Sequence, residues 1–352
     1  MRSLLLLLLL SLSNACAELL TLPWPDLETE LPLWKPDTPS SEKWPAIVYY
    51  HGTNGSPRIQ LMREVTQGKE FLIVGMTYLN KGRFIQSDVN IAAELSQLNK
   101  LKRVLTGEYN VDPSKIYVAG FSKGGWFSAT LLERDHSLAG GLILGAGIFH
   151  NKRPNITPKP FKTKKPIYIG VGRFDGNYPQ SLAALLHFRK LGAQVTLEAW
   201  PDTQHAYPKD PPTSMRQWLH LQSGLTTFKA KQWISLEEQR IDTIAEPIDQ
   251  WYAIKALLER PFVKRQGEDV KNQLSAKLTD LAKDPTVHAE AAFVKTSQDI
   301  LKRELRDRYV STLEVILPRY EALAKKASGT RAGDIAEKDA ARVRKLLGND
   351  PS

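Results

Sequence analysis

From about Glu30 to Leu221 the chain alternates short apolar runs with stretches of helical periodicity, the pattern of a mostly parallel sheet covered by helices on both faces. Buried strands are predicted at Ala46–Tyr50, Phe71–Tyr78, Ile116–Ala119, Leu142–Ile148, Pro166–Val171 and Val195–Trp200. An earlier run, Leu31–Trp34, is expected to pair antiparallel at the edge of that sheet. Ile91, Leu95, Leu98, Leu101 and Leu105 recur at helical spacing and predict an amphipathic helix with one face in the core.

After Leu221 the strand-like runs stop and long helical patterns take over. Ser235 with Glu238 reads as a capping box, and Leu305, Tyr309, Leu313, Ile316 and Tyr320 are expected to line one face of a single helix. Pro318 falls inside that pattern and predicts a kink, because proline has no amide proton to give the helix. The chain is therefore expected to divide into a leader at 1–17, a catalytic domain at 18–224 and an all-helical accessory domain at 225–352. The accessory part carries no motif for chemistry. It is expected to stand on a core of its own, drawn from Trp233, Trp251, Tyr252, Phe262 and Phe293; the alternative is that these helices pack over the site as a lid or against the flank of the sheet.

The leader follows from Arg2, the unbroken leucine run Leu4–Leu10 and the small residues around Cys16, which together predict a secretory signal cleaved after Ala17. The run is too short to cross a bilayer, which takes about 20 apolar residues. Cys16 is the only cysteine, so such cleavage leaves no disulfide, as suits a secreted or bacterial envelope or periplasmic enzyme with a large core. Ser13-Asn14-Ala15 matches poorly what lipid attachment at Cys16 would require. The net charge of +10 is spread along the chain with no basic stripe or recognisable module, so no nucleic-acid partner is expected.

The densest chemical signal is Gly120-Phe121-Ser122-Lys123-Gly124-Gly125, which follows one predicted strand and precedes a helical stretch. A G-x-S-x-G run in that setting is a nucleophile elbow, with the serine on a strained strand-to-helix turn. A serine hydroxyl needs a base, and the base needs a carboxylate to orient it. In the chain order Ser, Asp, His, the candidates are Asp175 and His205, each just beyond the carboxyl end of a strand. His51 and His150 also follow strands but precede Asp175, which breaks that order; Asp202 is the rival acid. The turn His51-Gly52-Thr53-Asn54-Gly55-Ser56 follows an early strand, so the amides of Thr53 and Lys123 are the expected oxyanion donors.

Val111-Asp112-Pro113-Ser114-Lys115-Ile116 running into the elbow, with the early His-Gly and the late His205-Ala206-Tyr207-Pro208, resembles α/β-hydrolases of two groups. One is the secreted polyhydroxyalkanoate depolymerase and feruloyl-esterase-like group, the other the phospholipase/carboxylesterase group. The resemblance covers about residues 30–222. It implies the α/β-hydrolase fold and the triad Ser122, Asp175 and His205, with Thr53 and Lys123 as oxyanion donors. The sequence departs from the first group in lacking disulfide-forming cysteines, and from both in having a lysine directly after the nucleophile.

Phe149 to Pro166 is basic and proline-rich and is expected to be an irregular loop in which only Lys152 and Arg153 approach a substrate. No metal, nucleotide or other cofactor motif is present, and no cofactor is expected. The expected activity is hydrolysis of a small-molecule or polymeric ester through an acyl-enzyme. A peptidase on the same fold and an inert hydrolase-like binding protein remain the alternatives.

Overall fold

The computed structural model describes residues 17–27, 29–36, 43–79, 88–148, 159–200, 203–208, 213–224, 230–260, 263, 266–306 and 310–348. Residues 1–16 of the predicted leader, His150, Lys152, Arg153, Asp202, Phe262 and Tyr309 lie outside them.

The strands are β1 (Glu18–Trp24), β2 (Thr29–Lys35), β3 (Trp44–Tyr50), β4 (Leu72–Met76), β5 (Val111–Phe121), β6 (Gly140–Leu144), β7 (Pro166–Gly172) and β8 (Gln194–Trp200). They form one sheet in the order β1-β2-β4-β3-β5-β6-β7-β8. From β4 to β8 every neighbouring pair is parallel, while β2 joins β4 and β1 joins β2 antiparallel. The fold is that of an α/β-hydrolase.

Alternation along β3 shows how the sheet is covered. Ala46, Val48 and Tyr50 face one apolar cluster, and Ile47 and Tyr49 face the other. The first cluster is closed by α2 (Asp88–Glu108), α3 (Lys123–Arg134) and α4 (Tyr178–Lys190), through Leu98, Leu101, Leu105, Phe127, Leu131 and Phe188. The second is closed by α1 (Gln60–Thr66) and α5 (Thr213–Ser223), through Met62, Val65, Met215, Trp218 and Leu219.

Two expectations about strands need correction. Leu31–Trp34 pairs antiparallel as expected, but β1 lies outside it and takes the edge. The run Leu142–Ile148 stops as a strand at Leu144, because Gly145 takes a left-handed φ of +56° that ends the ladder.

The remaining helices are α6 (Ala230–Asp242), α7 (Pro247–Glu259), α8 (Glu268–Leu281), α9 (Pro285–Arg306), α10 (Val310–Lys326) and α11 (Arg331–Leu346). Their buried residues form two clusters built wholly within this region: Ile234, Ile241, Ile254, Leu257, Val263 and Leu274, and then Ile300, Ile316, Tyr320, Leu323, Ala336 and Val343 with others. Phe293 packs against the second. Ser235 and Glu238 both sit inside α6, so they are no capping box; the helix already runs from Ala230. The single helix expected to carry Leu305 to Tyr320 is two, with Leu305 on α9 and Leu313, Ile316 and Tyr320 on α10. Pro318 lies in the interior of α10, which runs on to Lys326. Among the described residues no helix is long and apolar enough to cross a membrane.

Candidate active site

Ser122 stands between β5 and α3 with φ +55° and ψ −120°, a conformation that L-residues rarely hold. Its amide donates to Leu144 O at 2.8 Å and its carbonyl accepts from Trp126 N at 3.0 Å, which pins the turn from both sides. The turn is so tight that a Cβ on Gly120 would stand 2.8 Å from the Gly124 Cα, and one on Gly124 would stand 2.8 Å from His51 O. Both positions therefore exclude any side chain. As the N-cap of α3, Ser122 makes no side-chain capping bond, and its hydroxyl turns elsewhere.

That hydroxyl meets His205 Nε2 at 2.9 Å, and His205 Nδ1 meets Asp175 Oδ2 at 2.8 Å. A carboxylate only accepts, so Nδ1 carries the proton toward Asp175 and Nε2 is left to accept from the serine. The acid is held in turn: Asn177 N donates to Asp175 Oδ1 at 2.8 Å, and the Asn177 side chain donates to Gly145 O at 2.9 Å. Asp175 is 1% exposed, whereas the imidazole lies open to solvent along one edge and stacks on Phe121 at 5.3 Å between ring centroids. The Asp175 hydrogen bond raises the His205 pKa above its ordinary value; partial burial opposes this and Asp175's charge adds to it.

The sequence-predicted oxyanion turn also arrives beside Ser122. A Cβ on Gly52 would stand 3.6 Å from the Ser122 Cβ and from Phe121 O, so the Gly52–Thr53 segment borders the nucleophile. Lys123 opens α3, in the first turn whose amides have no partner within the helix. Its side chain lies over the Tyr78 ring at 4.6 Å, and burial lowers its pKa.

Sequence reasoning missed the residues that hold this turn. His51, set aside there because it precedes Asp175, is buried. Its Nε2 lies 2.9 Å from Thr77 Oγ1 and its Nδ1 2.7 Å from Gly52 O. Tyr78 donates its hydroxyl proton to His51 O. No local motif marks Thr77 or Tyr78, which directly follow β4, the neighbour of β3 in the sheet. Lys165, expected in an irregular basic loop, is instead buried, and its amine donates to His136 O at 3.1 Å and to Leu138 O.

Residues 84–230 match the family model described as the dienelactone hydrolase family. No curated protein matches the chain. Among solved structures, the chain is similar to an acylaminoacyl peptidase of Pyrococcus horikoshii at 18% identity, over 61% of this chain and 44% of that one, with a TM-score of 0.44. The chain thus spans less than half the length of that peptidase. It is also similar to a Bacillus cereus carboxylesterase (17% identity, 60% and 96% of the two chains, TM-score 0.43) and to a carboxylesterase of Mesorhizobium loti (16%, 58% and 98%, 0.46). The family match falls on the segment that contains Ser122, Asp175 and His205, and it supports a hydrolase of the esterase type.

Proposed function

We propose that this chain is an exported serine hydrolase that cleaves carboxylic esters through an acyl-enzyme, with Ser122 as nucleophile, His205 as base and Asp175 orienting the base. The single observation that carries the reading is the unbroken relay of 2.9 Å and 2.8 Å bonds between side chains from three separate loops. A relay of that form has one evident use, the transfer of the serine proton.

In the first step Ser122 Oγ bonds to the ester carbonyl carbon as its proton passes to His205 Nε2. The carbonyl electron pair moves onto oxygen, where the amides of Thr53 and Lys123 and the positive end of α3 offset the charge. Collapse of this intermediate breaks the bond to the alcohol, which leaves with the proton from Nε2. Water then repeats the sequence against the acyl-enzyme, releasing the acid and restoring Ser122. Asp175 takes no proton; it keeps Nε2 free to accept and stabilises the imidazolium.

Membership of the dienelactone hydrolase family is part of this reading, supported by the match over 84–230. Export is supported by the leader pattern and by the fact that β1 begins at Glu18, directly after the expected cleavage at Ala17. The division at 224 is supported by the two helical clusters that draw on no residue of the sheet. The experiment that tests the activity is labelling with a fluorophosphonate, followed by peptide mapping. The label should fall on Ser122, and Ser122→Ala should abolish both labelling and turnover of a small ester. Labelling elsewhere, or undiminished turnover in the variant, would overturn the assignment.

A further inference from the structure

The C-terminal helices reach the acid loop through a chain of buried charge. Arg173, two residues before Asp175, sends its guanidinium as a fork to the Asp339 carboxylate, at 2.9 Å for Nη1–Oδ1 and 2.7 Å for Nη2–Oδ2. Asp339 lies on α11, and its side chain has no exposure to solvent. Arg342 reaches the same carboxylate at 3.3 Å and forks onto Glu304 of α9 at 2.5 and 2.7 Å. Tyr320 of α10 donates its hydroxyl proton to Glu304 at 3.1 Å. Two guanidinium groups and two carboxylates balance, and both outer pairs are bidentate, the geometry that makes burial of charge tolerable. Burial disfavours the Arg173 cation, but the Asp339 carboxylate outweighs this and raises its pKa.

The backbone of Arg173 passes this anchorage to both arms of the site. Its amide donates to Trp200 O at 2.9 Å, and the Phe174 amide donates to Thr203 O at 2.9 Å. The segment leading into Asp175 is thus stitched to the segment leading into His205. Asp175 N donates to Gly172 O at 3.1 Å and Asp175 O accepts from Tyr178 N at 2.9 Å, which closes the acid loop on α4. The Arg173 guanidinium also lies 4.9 Å from the Tyr178 ring. A displacement of Arg173 therefore moves the acid, the base or both.

We infer that Arg173 is a positioning residue for the Asp175–His205 pair, and that Asp339 on α11 holds it in place, so that the helical region completes the acid arm of the site. The inference rests on the reading of Ser122, His205 and Asp175 as the reacting set. A bond between a helix and a sheet could hold the two together from many places; this one is attached two residues from the acid, on a segment bonded across to the stretch that leads into the base.

The test uses the full chain. Asp339→Asn removes the charge and one acceptor of the fork while keeping the shape, and Val343→Ala thins the apolar cluster on the same helix without touching the fork. Both should lower the melting temperature. Only Asp339→Asn should lower kcat, by roughly 10- to 100-fold as expected for a sub-ångström misplacement, with KM little changed. Its acid limb in the pH–rate profile should move to lower pH, since a slacker bond to Asp175 raises His205 less. The downfield proton resonance of the His205 Nδ1–H bond to Asp175 should broaden or move upfield in Asp339→Asn and stay in place in Val343→Ala. Should Asp339→Asn fail to fold, Arg173→Lys serves with the same readouts, because lysine keeps the charge but cannot fork. Wild-type kcat, pH limb and resonance in the folded variant would overturn the inference. Turnover that survives Ser122→Ala would instead overturn the reading beneath it, and the resonance separates the two outcomes because it needs no turnover.

Discussion

Adding one methyl group at Gly124 probes the elbow where the backbones come closest. A Cβ there would stand 2.6 Å from the Tyr50 carbonyl carbon and 2.8 Å from His51 O, where ordinary contact begins at 3.4 Å. The overlap on the carbonyl carbon is about 0.8 Å and that on Tyr50 O is greater still; all three obstacles are backbone, at the end of β3 and in the residue after it, so no side chain can swing away to relieve it. Overpacking of this kind costs about 3 kcal/mol, and at roughly 2 to 4 °C per kcal/mol for a unit of this size the melting temperature should fall by about 6 to 12 °C. The displaced segment runs straight into Gly52 and Thr53, so the expected oxyanion donor moves with it, and a shift near 1 Å costs about 100-fold in rate. The assay is thermal unfolding together with turnover of a small ester in Gly124→Ala. Gly107→Ala is the control: a Cβ there meets nothing within 4 Å, inside α2. It should be neutral or stabilising by at most about 1 kcal/mol. A Gly124→Ala protein with wild-type melting temperature and turnover would refute the contact between α3 and the end of β3.

Asp175→Asn should cut turnover by about 10⁴-fold through the wrong imidazole tautomer, while Asp202→Asn leaves it within a few-fold; pH–rate measurements on both decide which carboxylate serves. Because Asp175 raises the His205 pKa, activity in the wild type should rise with pH through a value above the ordinary histidine range, and residual activity in Asp175→Asn should rise at lower pH. The same shift predicts a stability contribution from His205 that is complete below the ordinary histidine pKa and lost as pH climbs through the raised one. Burial lowers the Lys165 pKa to about 8, so between about pH 8 and the ordinary lysine value the unfolded chain binds more protons there than the folded chain does. Stability from this group should increase with pH over that window, and Lys165→Met should remove the increase from the unfolding curves.

The site was legible in the sequence to the extent that each part was local. Ser122, Asp175 and His205 each follow an apolar strand within a few residues, so strand periodicity and chain order were enough to find them. The edge strand β1 was missed because four of its seven positions are exposed, which blurs the alternation that marks a strand. Leu142–Ile148 was overextended because composition does not reveal that Gly145 takes a positive φ. Ser235 and Glu238 show the converse failure, a correct spacing placed inside a helix whose start lies elsewhere. The bonds of His51 to Thr77 and of Arg173 to Asp339 depend on neighbours brought up by the sheet order or by α11, and no short window along the chain contains both partners of either.

The separation of 166 residues between Arg173 and Asp339 sets an order of events as the chain is made. By His205 every strand and all three residues of the proposed triad have been synthesised, yet the Arg173–Asp339 fork proposed to steady them waits for α11. At about 5 to 20 residues per second, Asp339 follows Arg173 by roughly 8 to 33 s. During that interval the sheet can assemble with an arginine on its acid loop still facing water. With Arg173 as the positioning residue inferred above, a nascent or prematurely ended chain should be a poor esterase until the last helix docks.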